Sequence, residues 1–485
     1  MNRSTEKAVA VDSARPAPSL GVKAAGIIAA ALVTGFILIA KPFSGLSAQG
    51  NGMIGVTLLG VSFWIFRPST MPYLAGGSII LGGALLLGLP LSVVTSGYTS
   101  SAVWVLIPAL YFGFVLIKTG LGKRIAYAVL KTFRPDYPGI CISWFIIGLL
   151  LSALTPSITV RLAIVMPIAF SLVEACGLCD RSRGCALICF VAFGTALLPG
   201  IAWQTGSLWG IFMMGFFPPE VRPLATPGTW FQYMSFPWLL ISILFVCLIY
   251  LLFKPKEPLK LDPRAFEEKY AALGRISKDE VVCAIVLIAA LTLFSTDKWT
   301  GITTPEAALG ALSVLMLFGI IKIGDIGTGV NWDIINFFGV VIGLSAMFAK
   351  AGVSDWIKPI ILPGILSMAH SPLLLLLTLT AALWAIGFID IPWRFTTFAL
   401  LSPVFIPLQQ QFGLHPCLVG VAFVAAGNSF FLAYQQPFII MSDTMTKSRG
   451  WSEGQVSKAG IIYAVSVVIG ICASALYWKA LGLMP

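Results

Sequence analysis

The residues best suited to binding chemistry lie in a short polar stretch between two long apolar runs. From Thr155 to Arg161 the chain reads Thr-Pro-Ser-Ile-Thr-Val-Arg, and hydrophobic residues dominate on both sides. Inside a lipid bilayer, backbone amides need hydrogen-bond partners, and a buried charge costs several kcal/mol unless a partner holds it. We therefore interpret this stretch as the tip of a helical hairpin that binds a substrate.

The arginine at this tip indicates an anionic substrate. A guanidinium group stays charged, and its paired N–H groups match carboxylate or sulfate. Arg394 lies in a second apolar hairpin, so the two arginines together suit a dianion. The alternative is a structural arginine neutralised by a carboxylate, and for Arg394 that partner is Asp390, one helical turn away. Hydroxyl groups and free amides at the helix N-termini of the tips complete the site. The predicted substrate ligands are Thr155, Ser157, Thr159, Arg161, Arg394, Thr396 and Thr397.

A second set of polar residues predicts a cation site. Asp390 is the only carboxylate that we place near the middle of the bilayer, where it can hold a cation, carry a proton or pair with Arg394. Two later apolar segments are interrupted by polar residues whose oxygens suit sodium, although hydrogen bonds between helices would also explain them. The predicted cation ligands are Ser157, Thr159, Gln204, Thr205, Ser207, Asp390, Asn428, Ser429, Gln435 and Gln436. We expect no cofactor, and coupling to Na⁺ or to H⁺.

The elements that position these residues must be membrane helices. The 485 residues are 58% hydrophobic and 11% charged, and apolar runs of about 20 residues recur along most of the chain. The net charge of +11 is typical of basic cytoplasmic loops, so no nucleic-acid partner is expected. With only two His beside nine scattered Cys, a zinc site is not expected either. We predict an all-α polytopic membrane protein with about 11 transmembrane helices and two re-entrant helical hairpins.

Internal similarity divides the chain into two halves. Lys118-Thr-Gly-Leu-Gly and Lys350-Ala-Gly-Val-Ser each precede a hairpin, and the same spacing separates Gln204 from Gln436. Five spans per half would insert the second copy upside down, and inverted repeats with broken helices are typical of secondary transporters. The predicted divisions are a cytoplasmic tail at 1–21, a first span and loop at 22–49, repeat 1 at 50–253 with hairpin 138–176, a cytoplasmic linker at 254–278, and repeat 2 at 279–485 with hairpin 371–412.

This layout resembles the divalent-anion/sodium symporters, which carry dicarboxylates, citrate or sulfate. The residues from Thr155 to Arg161, followed by Met166-Pro-Ile168, are similar to the Thr-Pro-Ser-Asn-Thr-x-Arg stretch of the plastid 2-oxoglutarate/malate branch. The resemblance implies sodium coupling, an elevator motion, a homodimer, and a role for Ser157 and Thr159 in binding substrate and sodium. Ile158 departs from the family asparagine, and the second tip, 391–395, lacks a Ser-Asn-Thr motif.

The resulting prediction is a secondary active transporter, a symporter or an antiporter, for a small dianion, foremost a dicarboxylate. The alternatives are a sulfate or sulfonate permease and an anion channel, but the polar groups gather at two tips and two breaks rather than along a continuous stripe. No constellation typical of an enzyme is present in the sequence. The expected location is the plasma (inner) membrane of a prokaryote, with the N-terminus in the cytoplasm.

Overall fold

The protein is an all-helical polytopic membrane protein over the residues that the computed structural model describes. These are 20–66, 71–217, 221–262, 264–368, 370–388, 397–398, 401 and 405–485. Eight of their helices are long and apolar enough to cross a membrane, and a ninth span is obtained if two helices bent by 114°, Val353–Ser367 and Pro372–Ile386, are taken together.

The first half of the chain carries a helical hairpin followed by a broken helix. Ser157 ends the hairpin tip and caps the second arm, because its hydroxyl accepts a hydrogen bond from the amide of Val160 at 3.3 Å. The helices are α1 Leu20–Ala40, α2 Ala48–Ile65, α3 Tyr73–Leu86, α4 Leu91–Val94, α5 Ser101–Thr119, α6 Leu121–Leu130, α7 Tyr137–Leu154, α8 Ile158–Ala175, α9 Arg183–Leu197, α10 Leu208–Phe216 and α11 Pro227–Phe253.

The second half follows the same order as far as it is described. Its helices are α12 Ala265–Ala271, α13 Lys278–Ser295, α14 Asp297–Thr300, α15 Thr304–Leu317, α16 Trp332–Lys350, α17 Val353–Met368, α18 Pro372–Ile386, α19 Phe405–Phe412, α20 Pro416–Gly427, α21 Pro437–Met445 and α22 Glu453–Ala480. Two prolines, Pro359 and Pro363, lie inside α17.

Two glycines support the correspondence between the halves. Gly120 ends α5 and starts α6 with φ 85°, and Gly352 separates α16 from α17 with φ 75°. Both lie in the motifs that repeat in the sequence, and both adopt the left-handed conformation that glycine tolerates without strain. A helix of 27 residues, α11, and one of 28 residues, α22, close the two halves and pack against each other.

The hairpin and the first broken helix form one packed block. Helices α7, α8 and α11 surround α9, and every residue from Gly184 to Ala202 is buried. A second group, α1, α2, α3 and α16, packs side by side, and α5 and α10 lie between the two groups. The core of the block therefore lies directly behind the hairpin tip.

Charged residues gather at one end of the bundle. Arg124 on α6 forms a buried ion pair with Glu280 at 2.6 Å, and Lys269 in the linker donates to Ser171 near the end of α8. In the turns after α8 and α21, Arg449 pairs with Asp180 at 2.8 Å and lowers the pKa of that carboxyl group. Lys269 belongs to the linker predicted to be cytoplasmic, so this end of the bundle is the one predicted to face the cytoplasm. The sidedness itself and the domain boundaries stay predictions.

Candidate functional site

The predicted hairpin tip is a tight turn of three residues between two helices of 18 residues each. The hydroxyl of Thr155 accepts a hydrogen bond from the amide of Ser157 at 3.2 Å, and that of Ser157 caps α8. Each arm is about 27 Å long at the helical rise. The hydroxyl groups of Thr155 and Ser157 are thus already used to shape the tip.

Arg161 lies one turn into α8 and is fully buried. None of its three guanidinium nitrogens has a hydrogen-bond partner among the residues that the structure describes. A buried cation without a partner is costly, since an effective penalty of several kcal/mol applies to each desolvated charge. Within the described part of the chain, the alternative of an arginine neutralised by a carboxylate therefore has no partner to support it.

The guanidinium group lies against the first broken helix. A Cβ atom built on Gly200 would be 2.3 Å from Nη1 of Arg161 and 2.2 Å from the carbonyl oxygen of Gly206. The nitrogen and this oxygen are therefore at most about 4.5 Å apart, and only glycine at position 200 leaves space for both. A Cβ atom on Gly206 would in turn be 2.8 Å from the carbonyl oxygen of Ser152, near the end of α7. Arg161 is thus positioned beside a group of backbone carbonyls.

Thr159 faces away from Arg161. Side chains two positions apart on a helix point in directions that differ by about 200°. The side chain of Thr159 is accordingly exposed in a gap of about 40 Å³ rather than buried beside Gly200. Aromatic side chains from three other helices line this gap: Trp209, Phe212, Phe338 and Phe438. The structure therefore does not bring Thr159 and Arg161 together on one small anion.

The first break lies at the position that the sequence predicted. After α9 the chain forms two short 3₁₀ turns, Pro199–Ala202 and Gln204–Gly206, before α10 starts at Leu208. The side chain of Gln204 donates to the carbonyl oxygen of Ala225 at 2.6 Å, and Ser207 caps α10. Of the three predicted cation ligands in this break, Gln204 and Ser207 already have structural hydrogen bonds.

The second break is also confirmed, and all four of its predicted cation ligands are buried. Asn428 accepts from Nε1 of Trp209 at 3.0 Å and donates to the carbonyl oxygen of Val424. The amide oxygen of Gln435 accepts two backbone N–H groups, and the Ser429 hydroxyl donates to the carbonyl oxygen of Ala426. Hydrogen bonds to the backbone and to Trp209 thus account for three of these four side chains.

Gln436 differs from its neighbours in this break. Its Nε2 donates to the carbonyl oxygen of Gly427 at 3.3 Å, whereas its Oε1 is buried with no hydrogen-bond partner in the described structure. A buried amide oxygen without a donor has the chemistry of a cation ligand. Gln436 is therefore the predicted cation ligand with a free acceptor.

Trp209 is a site residue that sequence reasoning missed. Its indole reaches from the first break to Asn428 in the second, and a Cβ atom on Gly427 would lie only 2.0 Å from the ring. The two breaks are thus joined by one hydrogen bond and one close packing contact. Tryptophan in a membrane helix usually indicates the lipid interface, so its type gave no signal of this contact.

Most of the second predicted hairpin tip lies outside the described residues. This part includes Asp390, Arg394 and Thr396. Thr397 is described and is half-buried. The roles predicted for these residues stay predictions.

Comparisons with known proteins agree with the helical architecture. The family model for the sodium:sulfate symporter transmembrane region matches residues 22–484. Dicarboxylate transporter 1 of spinach chloroplasts is 25% identical over 431 residues, which cover 83% of this chain and 74% of that protein. The putative malate transporter YflS of Bacillus subtilis is 22% identical over 466 residues, with coverage of 91% and 93%. The crystal structure of the Alcanivorax borkumensis YdaH transporter aligns with a TM-score of 0.54 at 15% identity, covering 83% of this chain and 90% of that one.

Proposed function

The chain belongs to the sodium:sulfate symporter family, and from this premise we propose that it is a secondary active transporter for a small organic dianion, a dicarboxylate. Membership makes the protein an integral membrane transporter of anions and not an enzyme. The names of the spinach and Bacillus relatives favour a dicarboxylate over sulfate. Sulfate or a sulfonate is the second candidate substrate. The family description names sulfate, and a guanidinium group can bind such an anion as well as a carboxylate.

The observation that carries this proposal is the unpaired guanidinium group of Arg161. Its burial behind the hairpin tip leaves a positive charge that no described residue neutralises. A carboxylate bound at the tip would satisfy these donors with charge-assisted hydrogen bonds, which are about twice as strong as neutral ones. Thr155 and Ser157 would then contribute through the tip that they shape, rather than as the main ligands.

We further propose that the hairpin block moves as one body past α1, α2, α3 and α16. The packing of α7, α8 and α11 around α9 supports this division, since it separates a compact block from the remaining helices. The paired glycines at 120 and 352 favour two inverted repeats. In this arrangement the chain has about 11 spans and two re-entrant hairpins, and it assembles as a homodimer in a prokaryotic plasma membrane.

Sodium is the proposed coupling ion. The free Oε1 of Gln436 offers a ligand in the second break, and the carbonyls beside Gly200 offer others in the first. Protonation of Asp390 is the alternative means of coupling, because a buried carboxylate can take up a proton. Uptake under an imposed sodium gradient, a pH gradient or neither separates the two.

The experiment that tests the function is uptake into proteoliposomes containing the purified protein. Succinate, malate, 2-oxoglutarate, citrate, sulfate and taurine are offered with sodium or potassium outside. We expect saturable accumulation of one dicarboxylate against its gradient. Accumulation of sulfate alone would support the second candidate. An internal anion concentration that never exceeds its equilibrium value would indicate a channel and contradict both candidate functions.

A further inference from the structure

A cavity lies beside the first break, at the start of α11 and thus at the opposite end of that helix from the predicted cytoplasmic linker. It has a volume of about 480 Å³, which is ample for a dicarboxylate. Its walls come from the start of α5, the break itself, α10, the start of α11 and the turn between α14 and α15. None of the residues so far assigned to the substrate lines it. The cavity is therefore a separate feature from the tip.

The lining of this cavity suits a carboxylate. The first residues of α5, α11 and α15 all face it, so three helix N-termini converge there, each equivalent to about half a positive charge. Helices α5 and α11 have no acidic residue in their first turns, whereas α15 has Glu306 in its capping box. Glu306 offsets part of this attraction, so the net attraction is modest. Modest attraction fits a site from which the anion must move on.

Thr205 provides the polar group at the inner end of the cavity. It is 7% exposed, and no hydrogen bond is formed by its hydroxyl within the described part of the chain. This makes it an almost buried polar side chain without a partner that faces the cavity. A bound carboxylate oxygen would satisfy it.

Thr205 also faces the hairpin tip. A void of about 10 Å³ lies behind it and is lined by Thr205, Val105 and Pro156 of the tip. Val105 and Thr205 line both spaces. The two spaces are therefore separated by a thin wall, and the second is too small for a substrate unless the wall moves.

We propose that the 480 Å³ cavity is an outer vestibule that binds the dicarboxylate before it reaches the hairpin tip, with Thr205 as its inner polar contact. This inference rests on the proposed function, because it takes the same class of substrate. The anion is held by the helix N-termini and the Thr205 hydroxyl. Movement of the wall at Val105 and Thr205 then admits it to the tip.

The test uses a parent protein in which the exposed Cys179, Cys247 and Cys472 are replaced by alanine. Thr205→Cys is treated from outside with membrane-impermeant 2-sulfonatoethyl methanethiosulfonate. The matched control is Ser295→Cys, which is exposed near the same end but does not line the cavity. We expect modification at 205 to reduce dicarboxylate uptake at least tenfold, and saturating dicarboxylate to slow the modification at least fivefold. Modification at 295 should leave uptake unchanged.

Three results would contradict the proposal of an outer vestibule. They are modification at 205 that leaves uptake intact, modification that saturating dicarboxylate does not slow, and reaction only from the inner side. Failure of the proposed function would look different, because the unmodified parent would then accumulate no dicarboxylate at all. One further variant keeps the proposal testable if Thr205→Cys folds poorly. Thr205→Val should raise KM for external dicarboxylate several-fold. An unchanged KM in this variant would contradict the proposal.

Discussion

Replacing Arg161 with methionine should make the empty protein more stable and weaken substrate binding by about one to two decades in Kd. The guanidinium group is buried with three unpaired nitrogens, so its removal relieves a desolvation penalty of several kcal/mol. Methionine retains much of the side-chain length and is apolar. If about 3 kcal/mol is recovered, and unfolding entropy is about 2.1 cal/mol/K per residue, the 485-residue chain should gain ~3 °C in Tm.

The same variant should lose its response to substrate. A lost charge-assisted contact costs about 1.5–3 kcal/mol, or one to two decades in Kd. The assay is thermal unfolding of detergent-purified protein with and without a saturating dicarboxylate. Wild type should shift upward with substrate, and Arg161→Met should start higher and shift little.

Arg181→Met is the matched control, because Arg181 donates its hydrogen bonds to Ser448 at the exposed end of the bundle. It should leave the substrate shift unchanged. A lower Tm for empty Arg161→Met would refute the reasoning, since it would show that the guanidinium group has a stabilising partner. A full substrate shift in that variant would remove Arg161 from the binding site.

Three other predictions follow from described contacts. Glu280→Gln should lower the free energy of unfolding by about 3 kcal/mol, because it leaves Arg124 buried beside a neutral amide. Thermal unfolding checks this. The control is Asp325→Asn, which weakens the partly exposed ion pair with Lys118 and should cost under about 1 kcal/mol. Gln436→Leu should raise the sodium concentration for half-maximal uptake at least tenfold while folding normally, and an unchanged sodium dependence would exclude Oε1 as a ligand. In a background without accessible native cysteines, Lys269→Cys should resist an impermeant thiol reagent in intact cells and Lys479→Cys should react; the reverse pattern would invert the topology.

Local chemistry explains why the tip and the breaks could be predicted. Proline and glycine among polar residues interrupt a helix wherever they occur, so Pro156, Gly200 and Gly427 marked their positions in the sequence. The left-handed Gly120 likewise belongs to a motif visible in the chain. These features depend on residues close together in sequence, and the structure contains each of them.

Contacts between distant residues could not be predicted in this way. Nothing near Trp209 in the sequence indicates that its indole bonds to Asn428, more than two hundred residues away. The opposite directions of Thr159 and Arg161 depend on where α8 begins, which the cap at Ser157 determines. The helix α17 likewise could not be expected from local sequence, because its two prolines favour a loop, whereas in the structure it packs against α16.

The burial of α9 from Gly184 onward has a consequence for how the protein is made. The segment is apolar enough to enter the bilayer alone, yet every residue from Gly184 to Ala202 is covered by protein in the final structure. One of the helices that cover it, α11, ends at Phe253 and is synthesised later. During translation α9 must therefore first face lipid and then exchange lipid for protein contacts. A ribosome stalled before α11 would leave an inserted but unfinished block, with a helix that is buried in the mature protein still exposed to the membrane.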